Sequence, residues 1–281
     1  MLFRSSLRAE SLKTRKRWAN WILFGILLLA LILLGYVLTY VVLSNPPRNF
    51  ESRVPARILK REVFPENLIP NMLSLTSTIG AAIMIILGGL STASEYGWLT
   101  AQTILIQKPG RSAVLLGKLV ILAIVTLVIA VVVLGASALT SYLLVTIDGG
   151  SSSWPSANLL LKGFGALWLE FAVWTAFGMF LGIAFRSTAA AIGGGLTYLF
   201  VGEALLAQLL RNTEGVKEVL RFLPGVNAAG VNASFGLTFR NLNATTQLVD
   251  ATRGTITLLA YLVAFTVLAL LIFRRRDVGG S

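Results

Sequence analysis

Cysteine and histidine are both absent from the 281 residues. Without cysteine there is no disulfide framework, no zinc–thiolate site and no redox thiol. Without histidine there is no His-ligated haem, no His–metal centre and no Ser-His-Asp or Cys-His triad. Charge is scarce as well. Only 13% of residues are Asp, Glu, Lys or Arg, where a soluble domain of this size carries about a quarter. Acidic residues number 12 against 24 basic ones. The chain is instead 56% hydrophobic, with a mean hydropathy of +0.78. This composition predicts an all-α polytopic membrane protein. The net charge of +12 does not point to nucleic acid, because the basic residues flank apolar runs. Anionic lipid headgroups and the positive-inside rule account for them.

About twenty apolar residues cross a bilayer core, and six such runs are present: 21–43, 68–90, 119–144, 163–185, 187–210 and 255–273. Backbone groups have no partners in lipid, so all six are expected as helices in one transmembrane domain over 1–281. The fourth and fifth are separated by little more than Arg186, which makes them antiparallel neighbours. Six basic residues (Arg4, Arg8, Lys13, Arg15, Lys16, Arg17) precede the first run, and Arg274-Arg275-Arg276 follow the last. Both termini are therefore expected on the cytoplasmic side of a cell membrane. The basic start lacks a small-residue cleavage site and reads as a retained segment rather than a signal peptide. Residues 1–20 are expected as an interfacial helix, with Phe3, Leu7, Leu12 and Trp18 in the membrane surface. Residues 44–67 and 211–254 form two external segments. In the second, TEGVKEVLRFL reads as a short helix with Thr213 as a cap and Pro224-Gly225 as its stop. The chain contains no Gly-x-x-x-x-Gly-Lys-Ser/Thr phosphate loop, so any ATP hydrolysis falls to a partner.

Between the second and third runs lies SEYGWLTAQTILIQKPGRSAVLLGKL, residues 94–119. It is apolar, yet it carries Glu95, Lys108, Arg111 and Lys118, and Pro109-Gly110 interrupts it. Residues 95–107 lack proline and can form about three helical turns that Pro109 ends. A plain connecting loop is one reading. The other is a docking helix covered on several sides, since it is apolar nearly all round.

Ser94-Glu95-Tyr96, Trp98, Thr100, Ile104-Leu105, Pro109-Gly110, Arg111, Leu115-Leu116 and Lys118 resemble the cytoplasmic signature of ABC-2-type ABC transporter permeases. Leu99-Thr100 stands where that family usually has Gly-Thr. The basic N-terminal helix, the six spans and Leu223-Pro224-Gly225 before the last span agree with the same architecture. The resemblance implies the membrane subunit of an exporter, with 94–111 as a coupling helix lodged in a separate ATPase subunit. Glu95, Trp98, Leu105, Pro109, Arg111 and Lys118 would make that coupling. Trp98 and Leu105 would be its apolar anchors, while the charged residues would meet complementary charges or lipid phosphate. Two permease chains, identical or different, and two ATPase subunits carrying Mg-ATP would complete the transporter. A secondary transporter or channel would show an internal repeat or a broken charged helix. An accessory or scaffold subunit of a larger membrane complex is the remaining alternative.

Glu170 and Glu203 interrupt the fourth and fifth runs. Counted from Arg186 they lie 16 and 17 residues away, about 24–26 Å along their helices. They are expected at one level in the outer part of the bilayer, where they share a polar site facing an exit path or the external helix, one of them holding a proton. The competing reading is that each bonds to neighbouring helices and handles no substrate. Asn71, Ser74, Thr76, Ser77 and Thr78 polarise the second span. Gly178, Gly182 and Gly193-Gly194-Gly195 are expected to serve close helix packing.

Overall fold

The structure is a computed structural model that describes residues 2–46, 55–97, 111–150, 152–205, 216–236, 238 and 248–275. Among these residues there are helices and connecting turns and no strand. Helix α1 (Leu2–Lys16) gathers Lys13, Arg15 and Lys16 in its last turn, where cations complement the negative end of the helix dipole. Arg17 is extended and separates α1 from the long helix α2 (Trp18–Ser44). Two side chains fix that corner: Asn20 donates to the Thr14 carbonyl at 3.0 Å and Trp21 to the Arg15 carbonyl at 2.8 Å.

Beyond α2 a short helix α3 (Ala56–Lys60) leads into α4, whose apolar stretch is Pro65–Ser94 and whose helix runs on to Gly97. Then come α5 (Arg111–Ile147), α6 (Ala157–Phe185) and α7 (Thr188–Thr197), the last continuing in wider π-type turns over Tyr198–Leu205. Two short helices, α8 (Val216–Leu220) and α9 (Pro224–Ala233), precede α10 (Ala251–Arg275). Helices α2, α4, α5, α6 and α10 are long and apolar enough to cross a membrane. The protein is an all-α membrane protein. The run expected over 187–210 is described as far as Leu205.

Helix boundaries extend past the apolar runs. Helix α6 begins six residues before Gly163 because the Ser156 hydroxyl caps it, accepting from the Leu159 N–H at 3.3 Å. It ends at Arg186, which adopts the left-handed conformation (φ 52°). Ser187 caps α7 in turn, accepting from the Ala190 N–H. That two-residue turn makes α6 and α7 antiparallel neighbours, as the sequence predicts. Pro224 is a different matter. It was expected to stop a helix, and it also opens one, since its fixed φ and missing N–H suit a first helical position.

The bundle is organised around α6. In the apolar windows of α6 and α4, 78% and 61% of residues are buried, against 28%, 28% and 11% in α2, α5 and α10. The latter turn Leu29, Val128, Leu139, Ile256 and Val263 outward, as lipid-facing helices do. Helices α4 and α6 meet at backbone distance. A Cβ on Gly88 would lie 2.1 Å from the Thr175 carbonyl oxygen, and one on Gly178 2.1 Å from that of Ile85. A Cβ on Gly182 would strike the Thr92 hydroxyl, which donates to the Met179 carbonyl at 3.3 Å. The Gly178/Gly182 pair thus serves packing. Asn71 donates to the Gly35 carbonyl of α2, while Ser74, Thr76 and Ser77 return to carbonyls of their own helix. Phe177 of α6 packs against Tyr198 of α7 and Phe265 of α10, with ring centroids 5.1 and 5.0 Å apart.

The crossing generates a prediction. Gly178→Val forces a branched side chain into a backbone and is expected to cost about 3 kcal/mol or more. Gly193, with nothing within 4 Å of its Cβ position, is expected to accept alanine unchanged or with a gain of up to about 1 kcal/mol. Thermal unfolding of both variants in detergent checks this.

Candidate functional site

Helix α1 lies across the start of α5 with its polar stripe inward. Ser6 and Glu10 are buried, whereas Leu12 and Trp18 are exposed. Gly117 admits this approach, because a Cβ there would lie 2.7 Å from the Ser6 hydroxyl. One turn of chemistry follows. The Lys118 ammonium, 5% exposed, pairs with the Glu10 carboxylate at 2.9 Å and donates to the Ser91 carbonyl at 2.8 Å. Lys13 pairs with the other Glu10 oxygen at 3.0 Å. From the α1–α2 corner, the Arg17 guanidinium donates to the Leu90 carbonyl at 2.7 Å and to the Ser94 hydroxyl. Two cations thus sit on the last turns of α4, where the dipole favours them.

The consequence is a frame. Segment 98–110 leaves from α4 and returns into α5; half-buried Arg17 at the α1–α2 corner holds the first stem, and the buried Glu10 of α1 holds the second. Of the residues expected to couple, Glu95 lies in the last turn of α4, Arg111 opens α5, and Lys118 stands two turns further on. Lys118 turns inward onto Glu10 rather than outward. Trp98, Leu105 and Pro109 lie outside the described residues. Glu10 and Arg17 were not anticipated as partners. Their signal was faint: Glu10 is the only acidic residue in the first fifty.

At the opposite end of the bundle Glu170 and Glu203 both reach α9, and they do so at different places. Glu203, 3% exposed, accepts from the Gly225 N–H at the N-terminus of α9. A free N–H there and the positive end of the helix dipole both favour a carboxylate. Gly225 lets the carboxylate come this close, because a Cβ would lie 2.0 Å from the carboxylate oxygen and push it away. Asn227 donates to the Arg221 and Leu223 carbonyls, and Tyr261 of α10 to that of Phe222. These bonds fasten the corner between α8 and α9. Glu170, 1% exposed, faces the Asn232 side chain in the last turn of α9. Seven residues separate Gly225 from Asn232, about 10 Å of helix. The two carboxyls meet opposite ends of one short helix and face different partners. Helix α9 itself is pressed on α10, with Gly230 against the Val249 carbonyl and Gly254 against that of Asn227.

Residues 66–279 match the profile of DUF2705, described as a protein of unknown function. The chain belongs to the DUF2705 family. No curated protein matches it. The family region opens at the start of α4 and runs through α10, so it includes Lys118, Glu170, Glu203 and α9. Helix α1, with Glu10 and Arg17, precedes it.

The frame in this DUF2705 protein is testable through its charge balance. Glu10→Ala leaves a buried ammonium without its carboxylate and is expected to cost about 3–5 kcal/mol. Replacing both partners, Glu10→Leu with Lys118→Met, is expected to recover most of that loss. Unfolding midpoints of the single and double variants measure it. A double variant no better than Glu10→Ala removes the ion pair from the account.

Proposed function

We propose that the chain is the membrane-spanning permease subunit of an ABC-2-type ABC transporter, with a separate ATPase subunit docking on residues 94–111. The observation that carries the reading is the frame around that segment. A docking helix that transmits force needs stems that do not yield. Here the outgoing stem is held by Arg17 at Leu90 and Ser94, and the returning stem by the Glu10–Lys118 pair. An ordinary connecting loop has no need of a buried ion pair at its root, because burying two charges is costly unless each is well paired. In this reading Glu10 and Lys118 brace the coupling segment from behind, and Trp98, Leu105 and Arg111 face the ATPase.

Helix α7 with its continuation to Leu205 is the additional crossing that makes six. It starts at the Arg186 turn beside the α1 end of the bundle and reaches Gly225 of α9 at the other. Ala269 of α10 packs with Leu115 of α5 and Met179 of α6, which brings the C-terminal end of α10 back to the end where α1 lies. With the positive-inside rule, that end is cytoplasmic and the protein sits in the cell membrane. A second permease chain, identical or different, completes the transporter, and Mg-ATP is bound by the partner ATPase.

The test is purification of the tagged chain from its native host in mild detergent, with mass spectrometry of what accompanies it. An ATPase subunit is expected with wild type and is expected to be lost from Trp98→Ala combined with Leu105→Asp. An ATPase that stays with the variant, or none with wild type, refutes docking on 94–111. It leaves an accessory subunit of whichever complex does co-purify.

A further inference from the structure

Glu170 and Asn232 present an accounting problem. Both carboxyl oxygens of Glu170 and both amide atoms of Asn232 are buried without a hydrogen bond of ordinary geometry. The residues are 1% and 4% exposed and face each other between α6 and α9. The Asn232 amide is the polar group that acts on this carboxyl, and no charged side chain among the described residues does so. Glu203 is occupied with Gly225 and Tyr198.

An ionised carboxylate can only accept hydrogen bonds. It could take the Asn232 amide N–H. The indole N–H of Trp174, one turn further along α6 and itself without a partner, is a second donor on the same helix face. That arrangement leaves the Asn232 amide oxygen with no donor and sets it against a negative charge. It also places the charge beside the last turn of α9, the negative end of its dipole. A charged carboxylate inside a membrane span with no cation beside it is costly. A neutral carboxyl removes all of these conflicts, since it offers one O–H donor and one carbonyl acceptor. Against a primary amide it closes a two-bond ring, with O–H donated to the amide oxygen and amide N–H donated to the carboxyl carbonyl. Rotation of two side chains then satisfies all four atoms, and buried polar groups are rarely left otherwise.

We propose that Glu170 is a proton-binding site, and that the neutral acid–amide pair it makes with Asn232 latches the C-terminal end of α9 to α6. The ligand is the proton itself. The two ends of α9 are thereby held by opposite means. Glu203 holds the N-terminal end as an acceptor for a free N–H, and Glu170 holds the C-terminal end as a neutral donor and acceptor. Removal of the proton opens the ring and releases that end while Glu203 keeps its hold. The latch does not depend on whether an ATPase docks on the chain, and its test does not involve one.

Infrared absorption of the full chain in lipid nanodiscs at neutral pH, in the region of protonated carboxyl carbonyls, reads the site directly. One band is expected to vanish in Glu170→Gln and to shift in Asn232→Leu. If no such band exists, or if every band survives Glu170→Gln, the proposal is overturned. Thermal unfolding supplies a second readout. Glu170→Gln keeps a donor and an acceptor in the ring and is expected to melt with the wild type. Glu170→Leu strands the amide and is expected to melt about 4–8 °C lower. A Glu170→Gln variant that falls as far as Glu170→Leu, or fails to fold, shows that Glu170 acts as an anion and sinks the latch.

Discussion

The contact on which the rest of the bundle depends is the crossing of α4 and α6. Lipid tails are as apolar as leucine, so helices in a bilayer gain little from hydrophobic association and must gain from close packing. Gly88 and Gly178 bring two backbones together with no side chain between them, and Gly182 leaves room for the Thr92 hydroxyl alone. That closeness makes α6 the most buried span and sets where both polar sites can form. At one end it aims the last turns of α4 at Arg17 and Lys118. At the other it holds Glu170 facing α9. A change in the crossing angle would therefore move the α1 frame and the Glu170–Asn232 contact together.

The spans themselves were legible because the bilayer imposes a length that the sequence must meet. Their ends were less so. Charge marks where an apolar run stops, whereas a helix stops where its terminal N–H and carbonyl groups find other partners. Lys162 bounded the expected fourth span, yet the helix continues back to the Ser156 cap. The Arg186 turn was legible because so few residues separate the runs that no other connection fits. Helix α9 was not. Asn, Ala and Gly in PGVNAAGVNA show no apolar periodicity, and proline and glycine together read as a stop. The helix exists because Glu203, 22 residues earlier, supplies its cap and because Gly230 and Gly254 let it lie on α10. That information is tertiary.

The polar sites divide in the same way. A lone Glu in an apolar run is conspicuous, and counting from the hairpin placed Glu170 and Glu203 at comparable height. Both do meet the same short helix. What counting could not supply was the direction of that helix, which separates the carboxyls by its length and gives them opposite electrostatic settings. The Glu10–Lys118 pair spans 108 residues, so no local pattern encodes it. Lys118 was singled out by its resemblance to a family signature and expected to face a partner. Its inward turn follows from Gly117, which lets α1 come close enough for Glu10 to reach it.

These placements constrain how movement could pass through the molecule. Helices α4 and α6 touch through backbone and cannot slide without breaking contact, so they move as one body. The contacts of α6 with α7 and α10 include the rings of Phe177, Tyr198 and Phe265, beside the close approach of Gly195 to Leu181. Ring faces tolerate small displacements that interlocked backbones do not, so relative motion would collect there. Helix α9 spans that boundary. Glu203 fastens it to α7, Gly254 and Tyr261 to α10, and Asn232 faces Glu170 on the rigid side. The Glu170–Asn232 contact therefore lies at the joint between α9 and the rigid pair. The hydrogen-bonding state of one buried carboxyl thus acts on the joint between that short helix and the rigid pair.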